Sequence, residues 1–210
     1  MKKPRTSHEM ERIRERIIEA ALSILDEEGF AFLTMRRLAT RLHMSAPNLY
    51  NFFKSKEEIY ISIIIKGFQM LYDEMNVSYK SHEDPVSRAR AIIDSYIRFG
   101  TANKPYYDVM FIRPTPKYND HVVTPYERLS AIEYRISMDI VGLGIEALKD
   151  VVKDPASLTE DAAVHNIVKI WSMMHGMVSL ANSNIVGYVA PDVEKTYSRI
   201  IDDIIEQYQS

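Results

Sequence analysis

The sequence predicts an all-α fold in which a three-helix head precedes a six-helix body. Three observations carry this. Apolar residues recur at helical spacing over most of the chain, and no run alternates with period two well enough to propose a strand. Pro85, Pro105, Pro125, Pro155 and Pro191 each stand ahead of a long apolar-periodic run, where proline suits a first helical turn but not a helix interior. Ser55-Lys56-Glu57-Glu58, Thr124-Pro125-Tyr126-Glu127 and Ser157-Leu158-Thr159-Glu160 have capping-box spacing. The resulting helices lie near 8–28, 35–41, 46–52, 56–79, 85–100, 104–112, 125–152, 159–184 and 191–208, with no internal repeat.

Composition bounds what such a chain does. At 210 residues and 46% hydrophobic it buries a sizeable core, and its length suits one domain or a small one fused to a larger. It has no cysteine, which excludes disulfides, thiolate metal sites and cysteine nucleophiles. The opening Met1-Lys2-Lys3-Pro4-Arg5 leads into a charged helix without an apolar signal core, and no stretch nears the ~18 apolar residues of a membrane span, so a soluble, cytoplasmic protein is expected. Charge is uneven. Residues 1–56 carry 11 basic against 7 acidic side chains, a net +4, and the remaining 154 residues carry 15 against 22, a net −7. A basic head on an acidic body suits a polyanion partner, although solvated surface charge alone gives the same count.

The head is readable element by element. Its first helix presents Ile13, Ile17, Ala20, Ala21, Ile24 and Leu25 on one side and stops at Gly29, followed by Phe30 as an apolar contact. Thr34 caps a short helix over 35–41; Ser45 caps the next, with Pro47 in its first turn. Only Leu42-His43-Met44 separate the two. Two short helices joined by a three-residue turn spell helix-turn-helix, whose second helix fits the B-DNA major groove, although ordinary α-hairpins share the outline.

A longer pattern narrows this. Ile18-Glu19-Ala20-Ala21-Leu22, Gly29-Phe30, Thr34-Met35-Arg36-Arg37-Leu38-Ala39, Met44-Ser45, Leu49-Tyr50, Phe53 and Lys54-Ser55-Lys56-Glu57-Glu58, within residues 13–68, resemble the DNA-binding domain of TetR-family transcriptional regulators. The resemblance implies a three-helix head, a long fourth helix leading to a ligand-responsive helical body, and a homodimer that usually represses by occupying an operator. One position departs: His43 stands where the family commonly has glycine, and because histidine tolerates positive φ the turn is expected to survive with some strain.

Within 1–56, read as the DNA-binding domain, Ser45, Ala46, Asn48 and Asn51 face base edges: asparagine pairs with adenine, and Ala46 suits a thymine methyl. Tyr50 and Lys56 are assigned to phosphate, Lys56 at the start of the fourth helix where backbone N–H groups attract anions. Thr34, Arg36 and Arg37 border the same surface. Lys2, Lys3 and Arg5 form either a DNA-following arm or an untethered tail.

Residues 57–210 are read as the ligand-sensing and dimerisation domain. The helix over 164–184 is apolar nearly all round, which predicts burial on both flanks, and its small-residue strip Ser172, Gly176, Ser179 and Ser183 allows close approach of another helix. The last helix adds Val193, Tyr197, Ile200, Ile201, Ile204 and Tyr208. The pair resembles half of the family's four-helix dimer interface, in which Tyr197, Ile201 and Ile204 join the strip; the alternative is that both stripes are intramolecular core. Trp171-Ser172-Met173-Met174-His175-Gly176 resembles a Trp-x-x-x-His-Gly segment of one large TetR subgroup, and Tyr107-Asp108-Val109-Met110-Phe111 a segment preceding it there. An effector cavity among helices four to eight would draw on Phe68, Tyr72, Tyr96, Tyr106, Tyr107, Met110, Phe111, Trp171, Met174 and His175, most of which serve equally as core; His175 favours a structural hydrogen bond.

The expected partners are double-stranded DNA with a near-palindromic operator, a second copy of the chain, and a small apolar or aromatic effector; no membrane, metal or cofactor is expected. No His-x-x-x-His, Glu-x-x-His, phosphate-cradling glycine loop or Gly-x-Ser-x-Gly turn occurs, so no enzyme is expected. A ligand-independent architectural DNA-binding protein of the same fold satisfies the same residues.

Overall fold

The computed structural model describes residues 6–209, apart from the side chain of Ser157. Among the described residues there is no strand, and eleven α-helices are joined by short 3-10 and π turns. All nine expected helices occur. They are α1 (Ser7–Glu27), α2 (Met35–Arg41), α3 (Ala46–Leu49), α4 (Lys56–Lys80), α5 (Pro85–Ala102), α6 (Lys104–Tyr107), α8 (Glu127–Val151), α9 (Glu160–Asn182) and α11 (Val193–Gln209). Two short helices were not anticipated, α7 (Tyr118–His121) and α10 (Val186–Val189), nor were the 3-10 turns Phe30–Phe32 and Pro155–Ser157. Lys2, Lys3 and Arg5, the proposed arm, lie outside the described residues.

Packing divides the chain into two compact units, residues 1–67 with 105–134, and residues 68–104 with 135–210. In the first, Ile17, Ala21, Ile24, Leu33, Leu38, Leu49, Phe53 and Ile59 form a sealed apolar core. Ile18 and Leu22 are buried as well, whereas Ile13 and Ala20, expected on that face, are only half-buried. In the second, α5 packs against both α9 and α11. Ser78 and Ser95 share a 2.5 Å hydroxyl hydrogen bond there, and Asn182 donates to the Gly100 carbonyl at 3.0 Å.

Helix ends follow local chemistry. Thr6 and Glu9 form a reciprocal capping box that the sequence reading missed, while Asp84 accepts from the Ser87 N–H at 2.8 Å beside Pro85. Thr159, not Ser157, caps α9, accepting from Ala162 N–H at 3.2 Å. Thr124 likewise forms no capping box: α8 begins only at Glu127, whose carboxylate accepts from Val123 N–H at 3.1 Å. The expected helix over 104–112 changes pitch midway, α6 running into a π turn at Asp108–Ile112 that closes with Arg113 N–H on the Asp108 carbonyl at 2.8 Å. On α4 a Cβ at Gly67 would overlap the Met110 side chain, so glycine is what lets this turn approach α4.

Candidate functional site

The head is assembled from caps and turns. After α1, Gly29 takes φ 94° with ψ 172°, so it supplies the positive φ expected of a helix stop, in extended rather than left-handed helical backbone. Phe30 then stacks on Tyr60 with ring centres 5.3 Å apart. Thr34 caps α2 by accepting from Arg37 N–H at 3.1 Å, and Ser45 caps α3 by accepting from Asn48 N–H at 3.4 Å. Each hydroxyl keeps its own proton for an incoming acceptor such as a phosphate oxygen. Between the helices His43 has φ 52°, the positive value expected at this departure from glycine. The recognition helix is shorter than 46–52: Asn51 and Phe52 N–H bond to carbonyls three residues back at 3.3 and 2.9 Å, and burial of Phe52 and Phe53 pulls the chain out of the helix.

This scaffold leaves the predicted DNA-facing residues accessible. Thr34, Arg36, Arg37, Ser45, Tyr50, Asn51 and Lys56 are exposed, and Ala46 and Asn48 half-buried. Thr34, Arg36, Arg37, Thr40 and Arg41 line an open hollow beside Phe32. The arginines around it differ in kind. Arg37 is ion-paired with Glu28 and lies over the Phe32 ring at 5.4 Å, and Arg41 pairs with Glu27 and Glu28. Those pairs tie α2 to the end of α1, and the hydrogen bonds from Arg41 and then Ser23 hold the Glu27 carboxyl below its ordinary range. Arg36 is exposed at the same surface. Arg14 is structural, sitting 4.0 Å over the Phe53 ring with its guanidinium on the Phe52 carbonyl.

Lys54, absent from the predicted contacts, joins the surface. It is exposed directly after the recognition segment, its ammonium donating to the Tyr50 carbonyl at 3.2 Å. Its place beside Lys56 was the available signal. Ser55 accepts from Glu58 N–H at 3.2 Å to start α4, while the Glu58 carboxylate takes Lys54 N–H at 2.6 Å.

The predicted cavity residues fall in both units. Tyr107 and Met110 are sealed in the first, with Phe111 half-buried and tilted against Tyr107 at 4.9 Å. Tyr106 is half-buried near Glu15 and Glu19, its phenol pushed up to about 12 chiefly by burial. In the second unit Trp171 is exposed, yet its indole N–H donates to the buried Tyr96 hydroxyl at 2.8 Å. Met174 is buried; Phe68, Tyr72 and His175 are half-buried, and burial holds the His175 ring below its ordinary value.

The predicted dimer residues separate. Ile201 and Ile204 are 3% and 2% exposed within one chain, which fits the alternative that their stripe is intramolecular core. Tyr197 is tied inward as well, its hydroxyl donating to the Met177 carbonyl at 2.6 Å. Within one chain, helix α9 leaves one flank open. Val164, Val168, Trp171 and Leu180 stand exposed with Ser172, Ser179 and Ser183, and nothing lies within 4 Å of where a Gly176 Cβ would be.

Among the described residues no group of three or more His, Asp or Glu is placed to hold a metal ion, and no helix is long and apolar enough to cross a membrane. Residues 17–63 match the family model for bacterial regulatory proteins of the tetR family, and residues 89–204 the tetracyclin repressor-like C-terminal domain. The uncharacterized HTH-type transcriptional regulator Rv0681 of Mycobacterium tuberculosis is 24% identical over 179 residues, 85% of this chain and 74% of that protein. YobS of Bacillus subtilis, likewise an uncharacterized HTH-type transcriptional regulator, is 24% identical over 106 residues, 50% of this chain and 55% of its own length. The chain thus spans about half the length of YobS. The TetR family transcriptional regulator PfmR from Thermus thermophilus superposes with a TM-score of 0.66 at 20% identity, covering 91% of this chain and 97% of that one, a likeness of fold.

Proposed function

The chain belongs to the TetR family of bacterial transcriptional regulators, and from that premise we propose that it is a homodimeric repressor released from a near-palindromic operator by a small apolar or aromatic molecule. That it is a DNA-binding regulator of helix-turn-helix type follows from the family; family and fold are those of regulators, not enzymes. The observation that supports operator reading is the accessible surface of α2, α3 and the residues flanking them. Asn48 and Asn51 supply bidentate groups for base edges, Thr34 and Ser45 supply hydroxyl donors, and Arg36, Lys54 and Lys56 supply cations for the backbone.

Residues 1–56 act as the DNA-binding domain in this reading, and residues 57–210 sense the effector and dimerise. Acting on DNA places the protein in the cytoplasm. The exposed apolar strip of α9, Val164, Val168, Trp171 and Leu180 beside small Ser172, Gly176, Ser179 and Ser183, supports an isologous contact between two copies. Release needs a ligand that prefers a conformation other than the DNA-fitting one, worth typically ~1–3 kcal/mol or about 5–150-fold in operator affinity.

Val168→Asp should convert the dimer to monomer by light scattering and weaken operator binding, since a carboxylate on the seam loses water without gaining a partner. A dimer unaffected by that change contradicts the α9 contact. Operator affinity measured against a library of hydrophobic compounds, with thermal shift on the same samples, tests release. If no compound both stabilises the protein and frees DNA, the effector half fails.

A further inference from the structure

The part of the first unit between residues 105 and 134 is built the wrong way round for a simple core. Among the described residues the buried polar side chains are Ser62, Ser95, Thr115, His121, Ser130 and Glu133, and four of these six fall between 115 and 133. On α8 the inward residues Ser130 and Glu133 continue the face set by half-buried Tyr126 just before the helix, whereas Ile132 and Tyr134 stand exposed. Opposite them the Lys117 ammonium donates to the Met110 carbonyl at 2.9 Å and the Thr115 hydroxyl at 2.8 Å, close enough to Glu133 to act on its charge.

Two buried atoms of this segment have no hydrogen-bond partner, Glu133 Oε2 and His121 Nε2, in residues each only 5% exposed. A buried carboxylate oxygen left unpaired is costly, and a methionine or leucine at 133 would avoid that cost. Through the Met110 carbonyl the cluster adjoins the apolar segment Tyr107, Met110 and Phe111. It also reaches the head: the His121 ring meets the Tyr126 ring edge-on at 6.0 Å, and the Tyr126 hydroxyl shares a 2.7 Å hydrogen bond with Ser55, the residue that starts α4 next to Lys56.

We propose that this cluster is the polar end of a small-molecule site in the first unit, and that its ligand is an apolar or aromatic molecule carrying one hydrogen-bond-donating group, a hydroxyl or an amine N–H, presented to the Glu133 carboxylate. The proposal rests on the ligand-responsive reading above and assigns its chemical class. A donor accepted at Glu133 fills the unpaired oxygen, while Tyr107, Met110 and Phe111 meet the apolar body. Ligand contact at His121 and Tyr126 is relayed to the cap of α4, beside the phosphate-binding cations.

The test uses the full chain and four matched probes, 4-ethylphenol, 4-ethylaniline, 4-ethylanisole and 4-ethyltoluene, by ligand-observed NMR and thermal shift. At pH 8.5, where the Glu133 carboxyl is ionised, the phenol and the aniline should bind about tenfold or more tightly than the ether and the hydrocarbon, the expected worth of a hydrogen bond to a charged acceptor. Glu133→Met should abolish that preference; Glu133→Gln, which keeps the side-chain shape, should shrink it several-fold and guards against a Met variant that fails to fold. Equal binding of donors and ethers by the native protein, or a preference that survives both substitutions, overturns the proposal. If all four probes bind alike and release operator, the effector reading stands without this site. If none binds, the proposal falls, and the compound library separately decides the effector reading.

Discussion

In the head, Ile17, Ile24, Leu38, Leu49 and Phe53 are sealed from solvent and the short helices are tied by neighbouring caps, whereas in the 115–134 segment of the same unit Thr115, His121, Ser130 and Glu133 turn inward and Val122, Val123 and Tyr134 turn out. The first arrangement is what stability alone selects. The second spends stability on buried polar atoms, two of them unpartnered, and such departures gather where a protein binds or switches.

The largest way to test the contrast is to damage the head. Phe53→Ala removes a fully buried ring that also carries the Arg14 guanidinium, and should cost about 3–5 kcal/mol, read from chemical denaturation, with loss of operator binding. A cost under about 1 kcal/mol would mean that the head is not held by apolar packing.

The segment should answer to pH instead. Burial pushes the Glu133 carboxyl up to about 7, partly opposed by Lys117, and Lys117 is itself held below its ordinary value by burial. A carboxyl raised on folding contributes stability that is full below its unfolded value, near 4.5, and is lost as pH rises towards 7. Glu133→Gln cannot titrate, so its stability relative to the native chain should improve by roughly 2 kcal/mol between pH 5 and pH 8. Parallel stability curves for the two proteins would remove the titration from this region.

A smaller effect is expected at Val123, a β-branched residue with φ 64° and 91% exposure. That backbone favours asparagine or glycine, so Val123→Asn should stabilise by about 1 kcal/mol. Destabilisation would show that the exposed valine makes contacts that offset its strain.

The same contrast explains what could be read in advance. Thr34, Ser45, Pro47 and the positive φ at His43 act within a few residues, so the helix-turn-helix and its exposed face were legible from local rules. The early end of α3 was not, because the burial of Phe52 and Phe53 that sets it depends on the assembled core. Nor was the polar interior, since Lys117 and Glu133 come near enough to act on each other's charge only once α7 and α8 are in place. Periodicity identified an apolar face containing Ile201 and Ile204 but carried no information on whether it meets α5 or a second copy; within one chain, packing already buries it.

The central claim is that α3 reads bases while the flanking cations hold the backbone. Selection of binding sites from random duplexes, with the native chain, Asn48→Ala and Lys56→Ala in parallel, tests it most directly. The native protein should enrich an inverted repeat. Lys56→Ala should bind that repeat several-fold more weakly at every sequence, with the salt slope reduced by about one, and Asn48→Ala should change the preferred base at a symmetric pair of positions. An unenriched pool with the native chain, or the same motif recovered unchanged with Asn48→Ala, would contradict the assignment of α3 as the reading element.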